Sequence, residues 1–400
     1  MKMRSLFFLL LIPVFVQAQI AVRGETVYTM AGAPMKDAII LIKGATIERV
    51  GSAAEVNIPA GYKVLTAKVV TPGLVDAHST VGLAGILNVP HDQMQLEKSE
   101  PIQPQLRAID AYNPKEELIA WIRALGVTTV HTGHGPGALM SGTTMVAKTS
   151  GETVKDVLVT PDLMVAFTMG SSVSRNFKSP GTRSKGVAML RQEFLKARDY
   201  VKKLENKDPE KRPARDLQLE MVAEILRGNV KALITAQTAP EIAAALRLQK
   251  EFGFPMVLDG AAEAPLLLDE IKAAGVPVIL HPTMVRTGGD TKSASFTTAA
   301  VLRKAGIRFA LQSGFEGYVP KTRVVLFEAA IAAANGLTME EALRTITIDA
   351  AAILGLEKRV GSIERGKDAD LALFDGDPFE YTTRVCAVVI NGTVVSETCR

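Results

Sequence analysis

The chain has no surplus of charge. Its 400 residues carry 46 Lys and Arg against 42 Asp and Glu, a balance that gives no pull toward nucleic acid or an anionic membrane. Beyond the N-terminus it also lacks any run of about twenty apolar residues, the length a spanning helix needs. Repeats and low-complexity tracts are missing too, which removes solenoid architectures. No Gly-x-Ser-x-Gly elbow occurs, so Ser79, Ser141 and Ser313 have no identifiable base to activate them. What the chain does have is apolar content: 47% of it is hydrophobic, enough to bury a large core.

Residues 1–18, "MKMRSLFFLLLIPVFVQA", open with Lys2 and Arg4, continue apolar and end in Val16-x-Ala18. That pattern reads as a secretory signal peptide cleaved near Ala18, and the expected location is periplasmic or extracellular. Cleavage removes two basic residues and no acid, leaving 44 against 42. The two cysteines, Cys386 and Cys399, flank "VVINGTVV", where Asn391-Gly392 marks a tight hairpin turn. They fall on one face of that hairpin but diagonally offset, so a disulfide between them stays open.

Residues 19–71 alternate as short strands with turn punctuation. From residue 72 to 356 the pattern becomes strand and helix in alternation. Strands are expected at Leu74–Thr80, Val127–Thr132, Leu163–Met169, Val230–Gln237, Phe254–Asp259, Val276–His281 and Ile307–Ser313. An eighth is sought at Met145–Thr149 or within 81–125. Intervening segments such as "APEIAAALRLQKEFG" repeat apolar residues at helical spacing and stop at Gly. Such alternation predicts a parallel α/β sheet, best closed as a TIM-like (β/α)8 barrel. Residues 357–400 return to short strands. Both termini are therefore expected to build one small composite β-sandwich.

Chemistry in such barrels sits at the C-terminal strand ends. Those ends offer His78, Ser79 and Thr80; His131 and His134; Thr235 and Gln237; Asp259 and Gly260; His281; Ser313 and Gly314. Hydroxyls, an amide and glycines dominate, where a metal hydrolase needs several imidazole or carboxylate ligands.

The segment "VVTPGLVDAHST" resembles the first-strand signature Pro-Gly-Leu-Val-Asp-x-His-x-His of the amidohydrolase superfamily, and "GSIERGKDADLALFDGDP" resembles its C-terminal sandwich signature. "LRAIDAYNP" and "GALMSGTTMVAKTSG" resemble segments of the exported, imidazolonepropionase-like bacterial branch. The resemblance implies the barrel with composite sandwich, one or two divalent metals, typically zinc, and hydrolysis of non-peptide C–N bonds in amides or cyclic amides. Carried over residue by residue, the ligand set is mostly missing. His78 is the one retained metal position. Thr80, Thr235, Gln237 and Gly260 stand where imidazoles are expected, and Gly314 takes the place of the metal-binding general-base Asp. A lone imidazole does not hold a divalent ion against water.

Three readings follow. The chain is a catalytically degenerate member acting as a non-catalytic partner or scaffold, its partner an active paralogous amidohydrolase or a second copy of itself. Alternatively it is an active hydrolase with a rearranged mononuclear site, for which His78, His281, Asp259 and Glu316 are the candidates. Or it is a periplasmic small-molecule-binding barrel. Some branches of the superfamily carboxylate a lysine to bridge metals, but nothing local supports that for Lys148 over a plain lysine at a strand end. The basic segment "SSVSRNFKSPGTRSKG" (171–186) is expected over the barrel mouth, where it gates or binds an anion or stays a solvated loop.

Overall fold

The computed structural model of the protein describes residues 19–87, 89–315 and 324–399. The leader reading of residues 1–18 and the candidate ligand Glu316 lie outside them. The chain opens with β1 (Gln19–Val27), β2 (Met35–Lys43), β3 (Thr46–Ser52) and β4 (Lys63–Pro72). Strands β1 to β3 form an antiparallel meander, and β4 lies parallel to β1. Alternation sorts the side chains of β2. Ile40 and Ile42 enter one core, and Ile39 and Leu41 enter another on the opposite face.

Eight strands then follow in spatial order as in sequence. They are β5 (Leu74–Ser79), β6 (Val127–Gly133), β7 (Met140–Lys148), β8 (Leu158–Thr168), β9 (Lys231–Ala236), β10 (Met256–Gly260), β11 (Val278–Leu280) and β12 (Phe309–Leu311). A parallel bridge between Ser79 and Gly314 joins the first strand to the end of the last, with Gly314 N donating to His78 O at 3.1 Å. The barrel is thereby closed. One inward layer is Val75, Val146, Met164, Leu233, Val257, Ile279 and Ala310, packed on Leu354 and Leu356. The outward set, including Phe167, Ile234, Leu258 and Phe309, packs under the helices.

The expectation of an all-parallel sheet is corrected at one strand: β7 runs antiparallel to both β6 and β8. Only the short segment 134–139 separates β6 from β7, whereas a parallel return needs a crossover of about a dozen residues or more. The eighth strand is thus Met140–Lys148, and residues 81–125 contribute loops, short 3-10 turns and the helix Glu117–Ala124 instead.

The crossover helices show why the sequence folds locally. Helix Ala239–Phe252 starts at a capping box between Thr238 and Glu241 and stops at Gly253, whose φ of 78° suits a residue without Cβ. Its buried stripe includes Ile242, Ala245, Leu246 and Leu248. Replacing a fully buried leucine such as Leu248 with Ala costs about 2–5 kcal/mol. Thr338 and Glu341 form a second capping box, ahead of helix Met339–Thr345.

The chain ends with β13 (Leu371–Phe374), β14 (Val385–Ile390) and β15 (Thr393–Ser396). These complete a seven-stranded sheet in the order β15-β14-β13-β4-β1-β2-β3, with β13 antiparallel to β4. The turn at Gly44, between β2 and β3, touches the turn at Gly392, between β14 and β15, so closely that a Cβ on Gly392 would collide with the Gly44 carbonyl. Opposite ends of the sheet therefore meet around one core. Asn391 and Gly392 have φ of 47° and 71°, the backbone a two-residue hairpin turn needs. Cys386 and Cys399 are joined by a disulfide. Among the described residues no helix is long and apolar enough to cross a membrane.

Candidate functional site

Period-two counting from the inward layer places the next side chains. Leu233 leads to Thr235, Val257 to Asp259, Ile279 to His281, and Ala310 to Gln312. All four sit at C-terminal strand ends, where the barrel opens. Asp259 is their hub. Its Oδ2 accepts from Thr235 Oγ1 at 2.6 Å, and its Oδ1 accepts from Gln312 Nε2 at 2.8 Å and faces His78 Nδ1 at 3.0 Å.

Burial works against the charged form of Asp259, but the adjacent His78 charge and the hydrogen bonds from His78, Thr235 and Gln312 hold its carboxyl below the usual range. Burial likewise works against the charged His78, and the Asp259 charge and hydrogen bond outweigh it, raising the imidazole above its ordinary value. Both groups are buried, and each favours the charged form of the other. Beside it, Asp76 accepts from Ser313 N at 3.0 Å and from Ser313 Oγ, and from His78 N at 3.3 Å. Complete burial nevertheless pushes the Asp76 carboxyl up to about 6.

The other histidines are occupied elsewhere. His131 Nδ1 donates to the Ala77 carbonyl at 2.6 Å and its Nε2 lies 2.6 Å from Thr144 Oγ1. Burial, and then the His78 charge, depress it to about 3, so it is a neutral wall residue. His134 is buried against Gly142 and depressed to about 4 by that burial. His281, the centre of the rearranged-site reading, donates from Nδ1 to the Pro282 carbonyl at 2.7 Å and takes no part in the Asp259 network. Among the described residues no three His, Cys, Asp or Glu side chains converge as a metal site would require. Lys148 is displaced further. Because β7 runs antiparallel, its last residue is at the opposite end of the barrel, where Nζ pairs with Asp370 and, at 3.0 Å, with Asp368. Lys148 is thus a strand-end lysine paired with the terminal sheet.

The remaining ligand positions are closed by backbone. Gly260 and Gly314 have φ of 83° and 66°, a left-handed region costly for other residues. A Cβ at 260 would collide with the Gln237 amide, and one at 314 would lie 2.8 Å from Pro282 Cγ. Thr80 sits in a turn, its carbonyl accepting from Leu83 N and Ala84 N at 3.0 and 2.8 Å.

A divalent ion does not fit this donor set. His78 turns its Nδ1 to Asp259, while its Nε2 and that of His281 are buried without a hydrogen-bond partner among the described residues. Of the two carboxylates beside His78, Asp259 already accepts three hydrogen bonds and Asp76 accepts from Ser313 and from His78 N. Gln312 is the network member that the strand-end inspection passed over. That inspection took the last strand residues, Ser313 and Gly314, whereas the inward alternation from Ala310 points to Gln312.

Above this floor lies a cavity of about 790 Å³, lined by Thr168, Thr235 and Gln237 together with Lys98, Arg175 and Asp290. The segment after β8 does reach the mouth, with Ser172, Arg175 and Asn176 in its wall. Another cavity, about 500 Å³, lies against the seven-stranded sheet beside Arg23 and Asp37, away from the strand ends.

An eight-stranded α/β barrel carrying a seven-stranded sheet from both termini defines a hydrolase-type barrel architecture. Residues 222–396 match the Amidohydrolase family. An amidohydrolase from Thermotoga maritima superposes with a TM-score of 0.89 at 30% identity, covering 94% of this chain and all of that one. The chain belongs to the amidohydrolase family. It is also 43% identical over 86 residues to an imidazolonepropionase of Sphingopyxis alaskensis, a stretch covering 21% of each chain; the match therefore spans about a fifth of that curated relative. An adenosine deaminase from Xanthomonas campestris with bound zinc shares the fold, with a TM-score of 0.56 at 16% identity, covering 96% of this chain and 94% of that one. The family is generally metal-dependent.

Proposed function

We propose that this chain is a non-hydrolytic amidohydrolase-family protein, one that binds at its barrel mouth without cutting. A single observation carries the reading. Asp259, a carboxylate of the inward strand-end layer, is held by His78, Thr235 and Gln312, and in this reading these donors take the place of metal rather than coordinate it. The usual family chemistry needs an ion to activate water and a carboxylate to take its proton. Position 314 supplies no side chain for the second task. The reading also places the protein outside the cytoplasm once residues 1–18 are removed, giving a mature chain that starts at Gln19.

The test is metal content together with turnover. Protein purified from an exporting host without chelator or affinity metal is quantified by elemental mass spectrometry, then assayed with added zinc against amide and cyclic-amide substrates. The expected result is no stoichiometric metal and no turnover. One equivalent of metal that is lost on His78→Ala, accompanied by hydrolysis, overturns the reading.

A second reading, a partner of an active relative or of another copy, draws on the exposed apolar side chains Leu266, Met284, Phe296 and Phe327, which lie in segments following β10, β11 and β12. A dissociation constant for self-association measured by sedimentation checks it. A strictly monomeric protein at all concentrations leaves self-association without support.

A further inference from the structure

Among the described residues that line the mouth cavity there are two cations, Lys98 and Arg175, and two acids, Glu241 and Asp290. Of its acids, Asp290 accepts through Oδ2 from Ser171 N at 2.8 Å and from Ser171 Oγ at 2.7 Å. Glu241 accepts through Oε2 from Gln237 N at 2.9 Å and Thr238 N at 3.1 Å, and its Oε1 lies 3.9 Å from Arg183 Nη1. Both carboxylates are thus committed to the protein. The cations are not. Arg175 makes one hydrogen bond, to Ser171 Oγ at 2.5 Å, and among the described residues neither Arg175 nor Lys98 forms an ion pair. The Gln237 amide accepts from Ala262 N at 3.2 Å through Oε1, and its Nε2 donates to no described group.

We propose that this cavity is a binding site for a small organic anion, a carboxylate or a phosphate monoester, held by Arg175 and Lys98 above the Thr235 and Gln237 floor. The inference rests on the reading that the barrel binds without cutting. At about 790 Å³ the cavity falls within the size range of small-molecule sites. A guanidinium with most of its donors unused presents a fork that matches both oxyanion types. A cationic ligand is disfavoured because Glu241 already faces Arg183 at 3.9 Å and Asp290 Oδ2 already accepts two hydrogen bonds from Ser171. A neutral one would leave two cations without counter-charge at the mouth.

The full mature chain in chelator-treated, low-salt buffer is titrated calorimetrically with N-acetylglutamate and with glucose 6-phosphate. Each is set against a neutral counterpart, N-acetylglutamine amide and glucose. At least one anion is expected to bind with a Kd below about 1 mM and to lose affinity as salt rises. Arg175→Met and Lys98→Met are each expected to weaken it by about tenfold, with unchanged melting temperature because both side chains are exposed. Which anion binds identifies carboxylate or phosphate as the headgroup. Neutral compounds binding as well as the anions overturns the proposal, as does failure of both anions, or anion affinity indifferent to both substitutions. Chelator-free preparations of the same proteins are assayed in parallel for zinc and amide hydrolysis, which separates the two failures. Anion binding with zinc-dependent turnover sinks only the non-hydrolytic reading, and absence of both binding and turnover sinks only the anion site.

Discussion

His78 and Asp259, 181 positions apart in the chain, meet across the barrel with Nδ1 and Oδ1 at 3.0 Å and side chains only 4% and 5% exposed. The family's first-strand histidine has kept its place and changed its partner. Where several imidazoles and carboxylates would surround an ion, His78 and Asp259 face each other, each shifting the other toward its charged form.

Breaking that pair leaves a buried cation without compensation. Asp259→Asn is expected to destabilise the fold by about 3–5 kcal/mol and to lower the His78 pKa. Urea denaturation gives the first quantity and the pH dependence of the His78 ring resonances gives the second. A loss below about 0.5 kcal/mol, the range of ordinary surface substitutions, would show that the pair does not hold the mouth together.

The same pair sets a pH window. The His78 pKa is raised above 6.5, so its contribution is complete below that value and is lost as pH climbs through the folded-state pKa. The Asp259 pKa is lowered below 3.8, so its contribution is complete above that value and is lost as pH falls through the folded-state pKa. Both act fully between those limits. Stability measured from pH 4 to pH 9 is expected to decline on the alkaline side in the wild type, and the decline attributable to His78 is expected to vanish in His78→Gln. Parallel pH curves for the two proteins would contradict the assignment.

Asp76 pulls the other way within that window. Its folded-state pKa of about 6 exceeds the ordinary 3.8, so the unfolded chain ionises first. Stability should therefore fall by about 3 kcal/mol as pH rises between those values. Asp76→Asn removes this slope while losing a hydrogen bond from Ser313. The prediction is a flatter stability curve between pH 4 and 6 than the wild type gives, whatever the absolute change.

Most of the barrel was legible because β9 to β12 are short apolar runs between Gly-stopped helices, a pattern that parallel strands buried on both faces impose. Strand β7 was not. "MSGTTMVAK" mixes hydroxyls and Gly with apolar residues, and its direction depends on the brevity of the segment before it. That orientation also misplaced Lys148, which no local signal assigns to the lower end. At the site, the missing ligands could be read from residue identities alone. What replaced them could not, because the Asp259 network joins four strands, and only the inward alternation from Ala310 hinted at Gln312. The left-handed backbone at Gly260 and Gly314 carries no sequence mark beyond the glycine itself.

Lys148 offers a test of how the barrel and the terminal sheet are fastened. Its side chain is 3% exposed and pairs with Asp368 and with Asp370, which is 4% exposed. Asp370 also accepts from Asn391 N at 2.9 Å. Lys148→Met strands the Asp370 charge and is expected to cost about 3–5 kcal/mol, whereas Lys148→Met with Asp370→Asn removes both charges and should cost less than the single change. Equal losses in the single and double variants would mean that packing, and not charge, fastens the two units there.

Restoring the ancestral-type ligand should fail for reasons of backbone. Gly314 has a φ of 66° and Pro282 Cγ lies 2.8 Å from where a Cβ would be. Gly314→Asp therefore adds left-handed strain of about 1–3 kcal/mol to a clash with a rigid ring, and its carboxylate would enter a site where His78 is already turned to Asp259. The expected outcome is a lower melting temperature, no zinc uptake by elemental analysis and no turnover. Adding Thr80→His supplies the second first-strand imidazole but leaves Gly260 closed by Gln237, so the double variant should remain metal-free. Stoichiometric zinc in either variant would show that the loss of ligands is shallow and the barrel still poised for the family's chemistry.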